Sequence, residues 1–210
     1  MKMPAGIILA AGRSSRMGCN KLAIPLGESA IPLGGLVIRS ALRAGLDPVI
    51  VIGSEPALPL WLQESLRAEE RAERVQYVYS AESRQGMAYS IRAGVAAVRA
   101  LRLEAFILLL GDQPLVNEAH ITRLVQLKQS SCAAADYAAY EDRGQVKPPI
   151  LFSYRMYNVL ARLEGDQGAK QVIHSAQWKG RHLTSGREIF LDADTPSQLE
   201  EIRAYLRCLP

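Results

Sequence analysis

Short apolar runs rich in Ile, Val and Leu alternate with longer stretches of helical period along most of this chain. Gly6–Leu9, Pro48–Ile52, Val75–Tyr79 and Ala105–Leu110 read as strands, since each is brief and apolar on consecutive positions. Between them, Pro32–Ala44, Leu60–Glu70 and Met87–Leu101 read as helices. In the last of these, Ile91, Val95, Val98 and Leu101 make an apolar stripe at helical spacing. Leu108, Leu109 and Leu110 are apolar toward both faces, as a central parallel strand covered by helices must be. After a helix over Glu118–Gln129 the pattern loosens. Ala133–Tyr140 and Lys147–Phe152 flank a polar turn at Glu141–Gln145, and are read as an antiparallel excursion. Helices over Arg155–Leu163 and Ala169–Ser175, short strands over Arg181–Thr184 and Glu188–Leu191, and a last helix over Pro196–Leu206 complete the chain. Pro196 suits a helix start, where its missing amide would have had no partner. The predicted class is therefore α/β: one doubly wound, mostly parallel sheet with a small antiparallel excursion in the C-terminal half.

Composition narrows the setting. With 210 residues and 49% apolar content, the chain is long enough for one sizeable core, and no long linker interrupts it, so a single domain over 1–210 is expected. The 25 basic and 21 acidic residues leave a net charge of +4, spread along the sequence. That balance suits an anionic small molecule and does not call for nucleic acid. No run of about 18 apolar residues occurs, and Met1-Lys2 leads directly into a core strand, so a cytoplasmic protein with no membrane partner is expected. Cys19, Cys132 and Cys208 have no C-x-x-C spacing, which points to free thiols in a reducing compartment. His120, His174 and His182 offer no paired spacing for a protein zinc site.

The candidate chemistry begins where the first strand ends. Ala10-Ala11-Gly12-Arg13-Ser14-Ser15-Arg16-Met17-Gly18 is a small-residue, basic loop, followed closely by Lys21. Gly12 and Gly18 allow close backbone approach, loop amides can donate, and Arg13, Arg16 and Lys21 can neutralise oxyanions. A nucleoside triphosphate is the expected guest. The P-loop pattern G-x-x-x-x-G-K-S/T does not fit, because these glycines are six apart and the lysine falls three after the second. The dinucleotide pattern G-x-G-x-x-G is also absent. The alternative is an ordinary strand-to-helix turn with solvated basic residues.

Asp112 directly follows the central strand, at the sheet edge where open α/β folds place their ligands. A carboxylate there can hold Mg²⁺ against phosphates; the alternative is that it only terminates the strand. Asp192 and Asp194 alternate on a segment read as extended, so both carboxylates are expected on one face, just before the last helix. The competing reading is a helix cap near Thr195. Gly86-Met87-Ala88-Tyr89-Ser90 opens a helix whose amides could face a nucleotide; alternatively Met87 is core filler and Gly86 a turn.

Taken in order, Leu9-Ala10-Ala11-Gly12-Arg13-Ser14-Ser15-Arg16-Met17-Gly18 with Lys21, Gly86-Met87-Ala88-Tyr89-Ser90, Gly111-Asp112-Gln113-Pro114, Gly165-Asp166-Gln167-Gly168-Ala169-Lys170 and Leu191-Asp192-Ala193-Asp194-Thr195-Pro196 resemble the MobA-like nucleotidyltransferases. The Ala10-Ala11 pair resembles the molybdenum cofactor cytidylyltransferase (MocA-like) branch. The resemblance implies a Rossmann-like, GT-A-like fold with a nucleotide-binding half over 1–115 and an acceptor-binding half over 116–210. It also implies CMP transfer from CTP to molybdopterin with Mg²⁺, in service of a molybdenum hydroxylase apoenzyme. In that reading Lys21, Arg16 and Asp112 are catalytic, and Asp112 and Asp194 hold the metal. Leu9, Ala10, Ala11, Gly12, Arg13, Lys21, Ser80, Gly86, Met87 and Ser90 hold the nucleotide, while Lys147, Asp166 and Lys170 face the acceptor.

Two departures stand out. Ser80 lies where the family often has Asn, and Lys147-Pro148-Pro149 replaces a common Gly-His-Pro, a form similar to purine-catabolism members required for xanthine dehydrogenase activity. Lys147 is read either as a contact for the pterin phosphate or as a solvated strand-end lysine. Guanylyl transfer to the same pterin, nucleotidyl transfer to a sugar phosphate, and a non-catalytic cofactor carrier are the alternatives.

Overall fold

A computed structural model describes residues 3–12, 17–67, 69–130, 135–173 and 177–208. Arg13, Ser14, Ser15, Arg16, Cys132 and His174 lie outside the described residues. The strands are β1 (Ala5–Leu9), β2 (Pro25–Leu26), β3 (Ile31–Pro32), β4 (Val49–Gly53), β5 (Val75–Tyr79), β6 (Ala105–Leu110), β7 (Tyr137–Asp142), β8 (Gln145–Ser153) and β9 (Gly180–Thr184). The helices are α1 (Leu33–Arg43), α2 (Leu60–Arg67), α3 (Met87–Ala100), α4 (Glu118–Gln129), α5 (Tyr157–Leu160), α6 (Lys170–Ile173) and α7 (Pro196–Arg207).

Seven strands form one sheet in the order β5-β4-β1-β6-β8-β7-β9, and β2 and β3 form a separate antiparallel ribbon. β5, β4, β1 and β6 are parallel neighbours, and β7 and β9 are also parallel to each other. β8 alone runs against both of its neighbours, so the expected antiparallel excursion is a hairpin closed by Arg143-Gly144. Side-chain alternation sorts the core into two layers. Ile8, Val51, Ile107 and Leu109 pack against α1, α4 and α7. Ile7, Ile50, Phe106 and Leu108 pack against α3 and α5 on the other face. The approach of α3 to β1 is close enough that a Cβ on Gly94 would stand 2.6 Å from Ile7 Cγ2.

The parallel strands end flush. Leu9 pairs with Ile52 on one side and Leu110 on the other, and Ile52 pairs with Val78. Ala10 and Gly111 extend the ladder by one bond each, to Ile52 and Leu9 carbonyls at 2.9 Å. The chain therefore leaves β1 and β6 side by side, which brings the loop at Gly12 beside Asp112 although they are far apart in sequence.

Two expectations need correction. Glu188–Leu191 is no strand: Arg187–Phe190 is a 3₁₀ turn. The reason is that Ile189 and Phe190, adjacent in sequence, are buried in the same apolar layer, whereas a strand would send them to opposite faces. The helix expected over Arg155–Leu163 is a 3₁₀ turn, Tyr154–Met156, leading into the single turn of α5. α7 begins as expected, with Pro196 in its first turn and the Thr195 hydroxyl accepting from Gln198 N at 3.3 Å. Among the described residues, no helix is long and apolar enough to cross a membrane.

Candidate active site

Lys21 is placed by a short local structure. The Asn20 side chain accepts from Leu22 N at 3.1 Å and caps the 3₁₀ turn Lys21–Ala23, while Leu22 is buried in the core. The turn aims the lysine across the sheet edge, where Lys21 Nζ donates to Asp112 Oδ2 at 2.5 Å and to Asp194 Oδ1 at 2.6 Å. The lysine is only 7% exposed. Burial by itself would lower its pKa, but the charge and hydrogen bond of Asp112, joined by those of Asp194, raise it above the ordinary lysine value. Lys21 is thus a charged ammonium held in a carboxylate fork.

The two carboxylates come from different ends of the chain. Asp112 follows β6, and its carbonyl accepts from Ala193 N at 3.1 Å, which docks the segment before α7 against the β6 end. That segment is not fully extended, because Asp194 N donates to Asp192 O at 2.9 Å in a tight turn about Ala193. The two aspartates therefore diverge from the expected common contact: Asp194 meets Lys21, while Asp192 Oδ1 accepts from Gln113 Nε2 at 2.8 Å. Burial, reinforced by the charges of Asp112 and Asp194, pushes the Asp192 carboxyl up to about 6, against the opposing pull of Gln113 and Lys21. Gln113 itself is buried, and its Oε1 has no partner among the described residues.

Beside this fork lies a cleft of about 570 Å³, bounded by the ends of β1 and β6 and the start of α3. Leu9, Ala11, Gly12, Gly86, Met87, Ser90, Asp112 and Asp166, all singled out from sequence, contribute to its walls. Ala10 instead faces a second cleft, of about 430 Å³, on the other side of the loop, with Gly12, Asn20 and the exposed Cys19. Ser80 lines neither; it precedes a 3₁₀ turn, Ala81–Gln85, that carries Ser83, Arg84 and Gln85 into the larger cleft. Those three were missed in the sequence because they belong to no motif. The one signal was their place between a strand end and Gly86.

Gly86 has φ 150° and ψ 167°, and a Cβ there would lie 2.2 Å from the Gly165 carbonyl oxygen. Ala88 N donates to that same oxygen at 3.2 Å. The Gly165-Asp166 loop is thus seated on the first turn of α3, and one of the amides expected to face a ligand is already engaged. Lys147 and Lys170 stand outside the cleft walls. Lys147 Nζ pairs with Asp142 at 2.7 Å and lies 5.3 Å from the Phe190 ring centroid. His120 closes the capping box of α4, and His182 Nδ1 sits 2.9 Å from Glu141.

Among the described residues, no group of three or more His, Cys, Asp and Glu side chains forms a metal cluster. The donor set nonetheless fits a hard divalent cation. Asp112 and Asp194 already converge on one positive centre, and Mg²⁺ or Mn²⁺ needs only one or two carboxylates when phosphates and water complete its shell.

The chain is similar to known proteins over nearly its whole length. The chain is 31% identical over 202 residues to the purine catabolism protein PucB of Bacillus subtilis, covering 94% of this chain and 95% of that one. The crystal structure of Rv0371c from Mycobacterium tuberculosis H37Rv superposes with a TM-score of 0.75 at 28% identity, covering 97% of this chain and 99% of that one. The Rv0371c complex with manganese superposes with a TM-score of 0.71 at 25% identity, covering 99% and 100%. Residues 6–182 match the MobA-like NTP transferase domain, and the chain belongs to that nucleotidyltransferase family.

Proposed function

We propose that this protein moves CMP from CTP to the phosphate of molybdopterin, releasing pyrophosphate, and so supplies a molybdenum hydroxylase such as xanthine dehydrogenase. The observation that carries the reading is the fork of Lys21, Asp112 and Asp194 at the rim of a cleft walled by bare backbone at Ala11, Gly12 and Gly86. Similarity to a purine catabolism protein supports the destination, since hydroxylation of xanthine is a step of purine breakdown.

A phosphate monoester acceptor is ionised at neutral pH and needs no general base, so the protein's task is alignment and charge neutralisation. The acceptor oxygen attacks the α-phosphorus in line, and pyrophosphate leaves on the opposite side. Leu9, Ala10, Ala11, Gly12, Gly86, Met87 and Ser90 hold the nucleotide; Arg13, Arg16 and Lys21 balance charge on the transferred group and on pyrophosphate. Asp112 and Asp194 would hold Mg²⁺, which supplies electrostatic neutralisation of the phosphate oxygens. Asp166, in the wall of the cleft, faces the acceptor, and Lys170 and Lys147, which lie outside that wall, reach toward the acceptor's phosphate. The chain thus works as one transferase domain, with residues 1–115 serving the nucleotide and 116–210 the acceptor.

The test is pyrophosphate release from CTP and from GTP, each with molybdopterin and Mg²⁺. Release with CTP is expected. Release with GTP alone would reassign the base, and no release with either, despite pterin binding, would make the protein a carrier and overturn the proposal.

A further inference from the structure

Lys21 is asked to do two incompatible things at once. Its ammonium is clamped between Asp112 and Asp194 at 2.5 and 2.6 Å, yet the transfer chemistry needs the same ammonium on phosphate and the same carboxylates on a cation. Lys21 takes one oxygen of each carboxylate, and a divalent cation entering the same fork would repel the ammonium at contact distance. The backbone offers a way out. Asn20 and the buried Leu22 hold the turn in place, so the lysine's four-carbon stem can swing its ammonium without moving the chain.

We propose that Lys21 is a resident counter-ion for the carboxylate pair, which leaves the fork when a divalent cation enters and is thereby delivered to the phosphates of the incoming nucleotide. This rests on the nucleotidyl-transfer reading. The exchange keeps the fork's negative charge partly balanced before substrate arrives, and it keeps Lys21 off phosphate until the metal is in place. It also makes metal and nucleotide help each other. A divalent cation binds weakly alone, because it must first break the ammonium's contacts with Asp112 and Asp194. With a triphosphate present, the evicted ammonium gains phosphate oxygens, so each ligand tightens the other reciprocally.

The first experiment titrates Mn²⁺ without nucleotide and follows free Mn²⁺ by electron paramagnetic resonance, comparing the unaltered protein with Lys21→Met. The variant, lacking the competing ammonium, is expected to bind Mn²⁺ about 5–150-fold more tightly, the usual range for coupled sites. Equal or weaker binding would overturn the exchange. Lys21→Met with Asp194→Asn is the control, and is expected to lose the gain.

A second measurement needs no variant. Acetylation of Lys21 by acetic anhydride, read by peptide mass spectrometry, is expected to rise several-fold on adding Mn²⁺ and not on adding Na⁺ at equal ionic strength. Unchanged labelling would refute the displacement. Neither readout uses turnover, so a protein that released no pyrophosphate would still decide the question.

Discussion

Gly86→Ala is the sharpest test of how the cleft is built. The backbone at Gly86, φ 150° and ψ 167°, lies in a region almost reserved for glycine, and forcing a side chain into it costs on the order of 1–3 kcal/mol. The new Cβ would also sit 2.2 Å from the Gly165 carbonyl oxygen, a backbone atom that no rotamer change can move. The Gly165-Asp166 loop would have to retreat, and the Ala88 to Gly165 hydrogen bond would be lost, at about 1 kcal/mol. The sum is about 2–4 kcal/mol, or roughly 4–16 °C in Tm for a chain of this length. Urea and thermal unfolding measure the loss, and calorimetric CTP titration should show weaker binding because the cleft wall carrying Asp166 moves. Gly168→Ala is the control: its Cβ would meet only Met87 Sδ at 3.5 Å, an ordinary contact, and a change within about 0.5 kcal/mol is expected. A Gly86→Ala protein as stable as its parent, with unaltered CTP affinity, would refute the reasoning.

Lys21→Ala should lower turnover by about 10²–10³-fold, the usual loss for one preorganised charge-stabilising donor, while CTP binding stays measurable; pyrophosphate release at saturating CTP checks it, and unchanged turnover would remove Lys21 from the chemistry. Asp192 sets a pH dependence. Its folded pKa of about 6 exceeds the ordinary carboxylate value of 3.8, so between these values the folded protein keeps a proton that the unfolded chain has released. Stability should therefore fall as pH rises through that window. Asp192→Asn, which still accepts from Gln113, should gain about 1–3 kcal/mol at pH 8 and little at pH 4, measured by urea unfolding without added metal; an unchanged pH slope would count against the burial argument. Gln113→Ala should cost about 1–3 kcal/mol, because it strips a hydrogen bond from the partly buried Asp192 carboxylate, and a loss below about 0.5 kcal/mol would show that the contact holds nothing.

The regular elements were legible because their causes are local. Ala105–Leu110 and Glu118–Gln129 are a strand and a helix over the very residues that the apolar run and the helical period indicate. Where tertiary packing overrides period, reading failed. Ile189 and Phe190 look like a strand, but the core takes both on one side and winds them into a 3₁₀ turn. Ser83, Arg84 and Gln85 were invisible for a related reason: no side-chain pattern marks them, and only the turn after Ser80 carries them into the cleft.

Sequence by itself determined the layered α/β architecture, the strand ends at which the candidate site lies, and the residue types available there, because apolar period, glycine placement and charge act over a few neighbouring positions. The tertiary structure alone decided which of those residues meet. Asp112 and Asp194 lie 91 and 173 positions after Lys21, and only the flush ends of β1 and β6, with Ala193 tied to the Asp112 carbonyl, bring the three within hydrogen-bond reach. It likewise separated Asp192 from Asp194, which sequence placed on one face, since the tight turn at Ala193 gives one carboxylate to Gln113 and the other to the lysine.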